Sequence, residues 1–272
     1  MNDLFSMEGR VAIITGGSEK LGASMAEALG RAGATVVITS RSLEKARKGA
    51  EAITSRSASK IIPRALDLTR EEAIEAFFAG IHREYGRIDV LINNASGRGI
   101  QSGSAEYANG QPELQPLRDW EYTLYHNVTN AFLCCKHALP FMKESRRGSI
   151  INISSIAALV GRDRWVYGQS PAMIPNTSDY NAAKAAMIGF TKDLAAQVGT
   201  HGIRVNAIAP GGFQHPSQPR EFIERYASRT MLGRMGCIES DLQGAALFLA
   251  SDASAYVTAH TLVVDGGFTQ FC

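Results

Sequence analysis

Short apolar runs alternate with amphipathic stretches along almost the whole chain, and this rhythm most limits what it can fold into. "RVAIIT" (10–15) lacks the polar alternation of a half-exposed strand and reads as a strand buried on both faces, and "ATVVIT" (34–39) and "IDVLINN" (88–94) read as further strands. "KIIPRAL" (60–66), "GSIINIS" (148–154), "IRVNAIAP" (203–210) and "HTLVVDGG" (260–267) bring the predicted strands to seven. Pro63 puts its strand near an edge, because proline donates no ladder hydrogen bond. Helices are predicted over 21–32, 42–53, 69–86, 117–142, 179–199 and 239–250. The first carries Leu21, Met25, Ala28 and Leu29 on one stripe, and Ser42 suits the N-cap of the second. Acids open the third and Gly86 closes it. Buried strands separated by helices predict an α/β, Rossmann-type, doubly wound parallel sheet with helices on both faces.

No linker-like composition divides the 272 residues, so one domain over 1–272 is expected. Two stretches, near 96–116 and 156–178, break the rhythm and read as loop inserts. With 45% apolar residues the chain has enough to bury a sizeable core. A formal charge of +2, without a long run of one sign, does not suggest a nucleic-acid surface. No apolar stretch approaches membrane-spanning length. The opening "MNDLFSMEGR" holds an acid and leads into a strand, so a secretory signal is not expected. Cys134, Cys135, Cys237 and Cys272 lack metal-type spacing and read as idle thiols of a reducing cytoplasm. His126, His137 and His215 have no coherent ligand spacing, so no metal site is expected.

"TGGSEKLG" (15–22) follows the first strand and opens the first helix. Glycines there let a backbone approach a pyrophosphate, and the helix N-terminus offers unpaired N–H groups. Gly16, Gly17 and Gly22 fit that use, but Lys20 stands where such turns carry their middle glycine. Either Lys20 hinders the approach of the ligand or its ammonium swings outward to meet phosphate. The second strand ends in "TSRS" (39–42), with Ser40 and Arg41 and no acid before Glu44. A carboxylate there would hold the ribose 2′-hydroxyl of NAD, whereas an arginine grips a 2′-phosphate. Lys20 and Arg41 flanking one phosphate favour NADP(H) over NAD(H); two solvated surface cations are the plainer alternative.

"YNAAK" (180–184) sets Tyr180 and Lys184 one helical turn apart on one face. With "NNAS" (93–96), "HNVTNAF" (126–132), "INISS" (151–155), "RVNAIAPGG" (204–212), "GRMG", "FLASDASAYVT" and "VVDGG" in this order, the chain resembles the short-chain dehydrogenase/reductase family over about 7–268. The resemblance implies the strand order 3-2-1-4-5-6-7. It implies catalytic roles for Tyr180 as acid/base, Lys184 on the nicotinamide ribose, Ser155 on the substrate oxygen and Asn127 on a relay water. The dinucleotide would meet Gly16, Ser18, Lys20, Leu21 and Gly22 in the turn, and Ser40 and Arg41 beyond the second strand. Asp67 and Leu68 would lie at the adenine, Asn94 and Ala95 at its ribose, and Tyr180, Lys184, Pro210, Gly211 and Phe213 near the nicotinamide. A homotetramer is implied too, with helices 117–142 and 179–199 at one interface.

Free tyrosine ionises near pH ~10, too high for a neutral-pH base, and a cation one turn away pulls that value down. Ser96, Phe213 and His215 depart from the family pattern, and the segment between Ser155 and Tyr180 is unusually long. That segment carries Arg162, Arg164, Trp165 and Tyr167 and reads as a lid over a sugar, a sugar acid or another polyhydroxylated carbonyl or alcohol. A 3-oxoacyl thioester or apolar ketone is the alternative substrate, and a non-catalytic dinucleotide-binding sensor or scaffold is the alternative class.

Overall fold

A computed structural model describes residues 4–97, 111–168 and 177–270. Seven parallel strands form one sheet: β1 (Val11–Ile14), β2 (Thr35–Ser40), β3 (Ile61–Ala65), β4 (Val90–Asn93), β5 (Gly148–Ile153), β6 (Ile203–Pro210) and β7 (Thr261–Val264). Their order is β3-β2-β1-β4-β5-β6-β7, as the resemblance implies, and Pro63 lies on the edge strand β3. The eight described α-helices are α1 (Lys20–Arg31), α2 (Leu43–Ser57), α3 (Glu71–Tyr85), α4 (Leu117–Leu124), α5 (Asn130–Ser145), α6 (Ser178–Val198), α7 (Arg220–Ala227) and α8 (Gln243–Ala250).

The strands lack polar alternation because both faces are covered. Ile14, Ile38, Ile92 and Ile208 point into a core with Met25 and Leu29 of α1, Ile53 of α2 and Leu249 of α8. Their neighbours Ile13, Val37, Leu91 and Val205 point the other way, onto Phe78 of α3, Met142 of α5 and Val198 of α6. Period-two geometry sends successive residues to opposite faces, so a strand between two helical layers needs apolar side chains throughout. β1 pairs with both β2 and β4, so the direction of winding reverses there. A crevice outside the strand C-termini at such a reversal is where open α/β sheets bind ligands.

Local signals act as the residue types predict. Ser42 Oγ accepts from the Lys45 amide at 3.3 Å, capping α2, which runs on to Ser57. Glu71 and Glu72 lie in the first turn of α3, and Gly86 closes it with φ +73°. Two helices differ from expectation. The helix predicted over 117–142 is broken by a π turn at Tyr125–Thr129 and reaches Ser145. The helix predicted over 239–250 starts at Gln243, because Asp241 accepts from the Cys237 amide at 2.7 Å and holds the preceding residues in a turn. The insert near 96–116 and the end of the 156–178 insert fall largely outside the described residues.

Candidate active site

The glycine turn, the end of β2, the residues after β3 and the end of β4 enclose a cavity of about 420 Å³. Gly16, Ser18, Lys20, Leu21 and Gly22 line it from the turn, Ser40 and Arg41 from β2, and Asp67, Leu68, Asn94 and Ala95 from the other side. Eleven of the predicted cofactor residues thus share one wall system. The turn leaves no room for larger residues: a Cβ on Gly22 would lie 2.5 Å from the Gly16 carbonyl and 2.6 Å from Asn94 Nδ2. Glu19, the N-cap of α1, gives no side-chain cap bond, so the amides of the first turn are not satisfied from that residue. A close-packed glycine turn, an uncapped helix start and two nearby cations make a donor set that fits a dinucleotide phosphate.

Lys20 adopts φ +49°, the left-handed conformation that favours glycine, so the backbone path survives the substitution. Arg41 is exposed on the same cavity, and Lys45, which also lines it, is paired with Glu19 at 2.8 Å. Asp67 lies between β3 and α3, and its Oδ1 accepts from the Thr69 amide and hydroxyl at 3.0 and 2.7 Å. These bonds, backbone first, with help from Arg41, hold the carboxyl below its ordinary range.

β5 and α6 bring the catalytic candidates together. The two serines after β5 divide their work: Ser154 Oγ donates to the Lys184 carbonyl at 2.8 Å, while Ser155 Oγ accepts from the Ala157 amide at 3.2 Å and faces a pocket. Tyr180 stands in the first turn of α6 and lines the same pocket. Lys184 is buried one turn on, its Nζ 5.6 Å from the Tyr180 ring centroid and donating to the Ile153 carbonyl at 2.9 Å. Burial lowers its pKa to about 8, so it is still mostly cationic at neutral pH.

Asn127 lies on the π turn, a helix defect that recurs at functional positions. Its Nδ2 donates to the Gly97 and Thr123 carbonyls, each at 2.8 Å. Its Oδ1 is buried with no donor among the described residues. The pocket beside Ser155 and Tyr180 has a volume of about 190 Å³ and is also lined by Arg162, Tyr167, Gly211 and Gln218. Pro210 ends β6, directly before Gly211 of this wall. Phe213, in the loop after β6, pairs with Gly236 in a backbone bridge and packs against the core.

Two contributors escaped the sequence reading. Thr15 Oγ1 accepts from the Asn94 and Ala95 amides at 3.0 and 3.1 Å, tying the glycine turn to the end of β4. Its position between an apolar run and the glycines was the available signal. Tyr226 of α7 accepts from the Gly212 amide at 2.5 Å and covers the loop after β6. Burial pushes its phenol well up, so it stays protonated. No local pattern marks it, because it acts across a long loop. Among the described residues, no group of three His, Cys, Asp or Glu is placed to hold a metal ion, and no helix is long and apolar enough to cross a membrane.

Comparison with known proteins matches residues 17–269 to a family model described as enoyl-(acyl carrier protein) reductase. Gluconate 5-dehydrogenase of Gluconobacter oxydans (strain 621H) is 35% identical over 275 residues, covering 98% of this chain and 97% of that protein. A 3-oxoacyl-(acyl-carrier-protein) reductase of Aquifex aeolicus is 33% identical, covering 96% of this chain and 98% of the relative. The crystal structure of a short-chain type dehydrogenase/reductase from Mycobacterium marinum superposes with a TM-score of 0.82 at 30% identity, covering 98% of each chain.

Proposed function

The chain belongs to the short-chain dehydrogenase/reductase family, and from that premise we propose an NADP(H)-dependent enzyme that interconverts a carbonyl and a secondary alcohol on a polyhydroxylated small molecule. NAD(P)-dependent chemistry at CH–OH groups comes with the family. The finer reading rests on one observation above all: Ser155 and Tyr180 open onto a compact pocket walled by Arg162, Tyr167 and Gln218. A volume of about 190 Å³ lies below the ~300–1,000 Å³ usual for drug-sized ligands, which suits a short polar chain better than a long acyl chain.

A nicotinamide dinucleotide supplies or takes up the hydride when bound. Gly16, Ser18, Leu21 and Gly22 admit its pyrophosphate, and Lys20, Ser40 and Arg41 recognise the 2′-phosphate. Asp67 and Leu68 face the adenine, Asn94 and Ala95 its ribose, and Pro210 and Gly211 border the nicotinamide. Phe213 supports that loop from the core. In oxidation the substrate hydroxyl gives its proton to the Tyr180 phenolate as its carbon gives up a hydride; reduction runs in reverse. Lys184 favours the phenolate and is held in place by the Ile153 carbonyl. Ser155 accepts from the Ala157 amide, which leaves its own proton for the substrate oxygen. Asn127 Oδ1 accepts from a water that returns the proton to solvent.

The enzyme acts as one domain and as a homotetramer, and Phe132, 46% exposed on α5, suits a contact between copies. The unpaired thiols of Cys134, Cys135 and Cys237 agree with a cytoplasmic setting. The test follows NADPH absorbance against alditols, aldonates, 3-oxoacyl thioesters and apolar ketones. Turnover confined to the thioesters or ketones would refute the polyhydroxylated substrate. Y180F should lose about 10²–10⁴-fold in kcat while keeping its NADPH Kd. A wild type that binds NADPH but turns over nothing in a broad panel would point to the sensor or scaffold class.

A further inference from the structure

Arg162 sits on the wall of the Ser155–Tyr180 pocket, in the segment that joins β5 to α6. Its guanidinium has neutral partners: Nη1 donates to the Tyr167 hydroxyl and Nη2 to Asn181 Oδ1 at 3.3 Å. Nε is buried with no partner among the described residues. Asn181 directly follows Tyr180, so this cation is tied to the catalytic turn itself. The arginines of α7 and of the turn after it are placed differently. Arg225 faces Glu221 at 2.7 Å, Arg229 faces Asp163 at 3.1 Å and Arg220 faces Glu224 at 2.6 Å. Among the described residues, no carboxylate lies within ion-pair distance of Arg162.

A guanidinium cannot shed its proton, and half-burying it beside neutral groups removes part of its hydration without a counter-charge. Nη1 and Nη2 donate once each, and each carries a second N–H that can meet a carboxylate oxygen. We propose that Arg162 binds a carboxylate of the substrate, so that this enzyme acts on a hydroxy or oxo acid rather than on a neutral sugar or thioester. The proposal rests on the catalytic pocket assigned above; the hydroxyl array of the substrate is a separate matter.

The test measures matched acid and neutral substrates on wild type, R162Q and R162K. One pair is a six-carbon aldonate and its alditol. The other is a short 3-oxo acid and its ethyl ester, which carry no hydroxyl array. Wild type should prefer the acid in at least one pair. R162Q should lower the acid-to-neutral ratio of kcat/KM about 10- to 100-fold, chiefly through KM, and R162K should recover part of it. Equal use of acid and neutral members by wild type overturns the proposal, as does an equal loss on both in R162Q. Acid preference in the 3-oxo pair without aldonate turnover keeps Arg162 in its role and removes the polyhydroxylated substrate. Should no pair turn over, calorimetry on the NADPH-loaded protein reads the same preference as Kd, and no acid-selective binding overturns it. Unchanged NADPH affinity and unfolding temperature in R162Q and R162K separate lost recognition from a folding defect.

Discussion

Replacing Lys20 by glycine should move stability and cofactor choice in opposite directions. Lys20 holds φ +49°, a conformation that costs an L-residue about 1–2 kcal/mol. Glycine removes that cost but gives back about 0.5–1 kcal/mol in chain entropy. The net gain is about 0.5–1 kcal/mol, a rise of roughly 1–4 °C in Tm for a chain of this size. The ammonium lies at an exposed edge of the cavity, where solvent limits a phosphate contact to about 1 kcal/mol, or about fivefold in Kd. NADH lacks the 2′-phosphate, so its affinity should stay constant while that of NADPH falls. Adding R41Q should bring the NADPH loss to about 25-fold if the two cations act independently. Fluorescence titration with both dinucleotides and a thermal melt read the two effects. Equal weakening of NADPH and NADH in K20G would refute the phosphate role, and a lower Tm would refute the strain argument.

Other outcomes follow from the same geometry. The buried ammonium of Lys184 has a pKa of about 8, so kcat/KM for the dinucleotide should fall as pH rises through that value. K184R, which keeps its charge, should move that limb to higher pH. The sign for stability is opposite: the unfolded lysine binds its proton more tightly, so this residue makes the apoprotein more stable as pH rises from about 8 to 10.5. Urea melts at several pH values on wild type and K184M separate the two behaviours. G22A should cost about 1–3 kcal/mol by overpacking, since its methyl would press on the Gly16 carbonyl and Asn94, and should weaken NADPH and NADH alike. Denaturant midpoints and titrations with both cofactors check it.

The sheet was legible because burial on both faces writes itself as unbroken apolar runs, and Pro63 marked the edge strand. Tyr180 and Lys184 were legible because one helix carries both at the spacing of a turn. Ser154 and Ser155 divide their work because alternation at a strand end sends them to opposite sides. What stayed hidden depends on distant partners. Phe213 is drawn to the core by Gly236, far along the chain. Tyr226 acts on Gly212 from another helix. The π turn has no glycine or proline to announce it, so "YHNVT" reads as ordinary helix.

That turn sets a limit on length. A π turn holds one residue more than a regular α-helix needs over the same rise, and each α-helical residue turns the chain by about 100°. Deleting one residue from Tyr125–Thr129 would let α4 and α5 fuse into a smooth rod, a locally easier shape. It would also swing Asn127 away from Gly97, or rotate α4 against the body of the protein. Along this stretch the count of amino acids matters as much as their identity, and a gap tolerated in a neighbouring loop would here misdirect the Asn127 side chain.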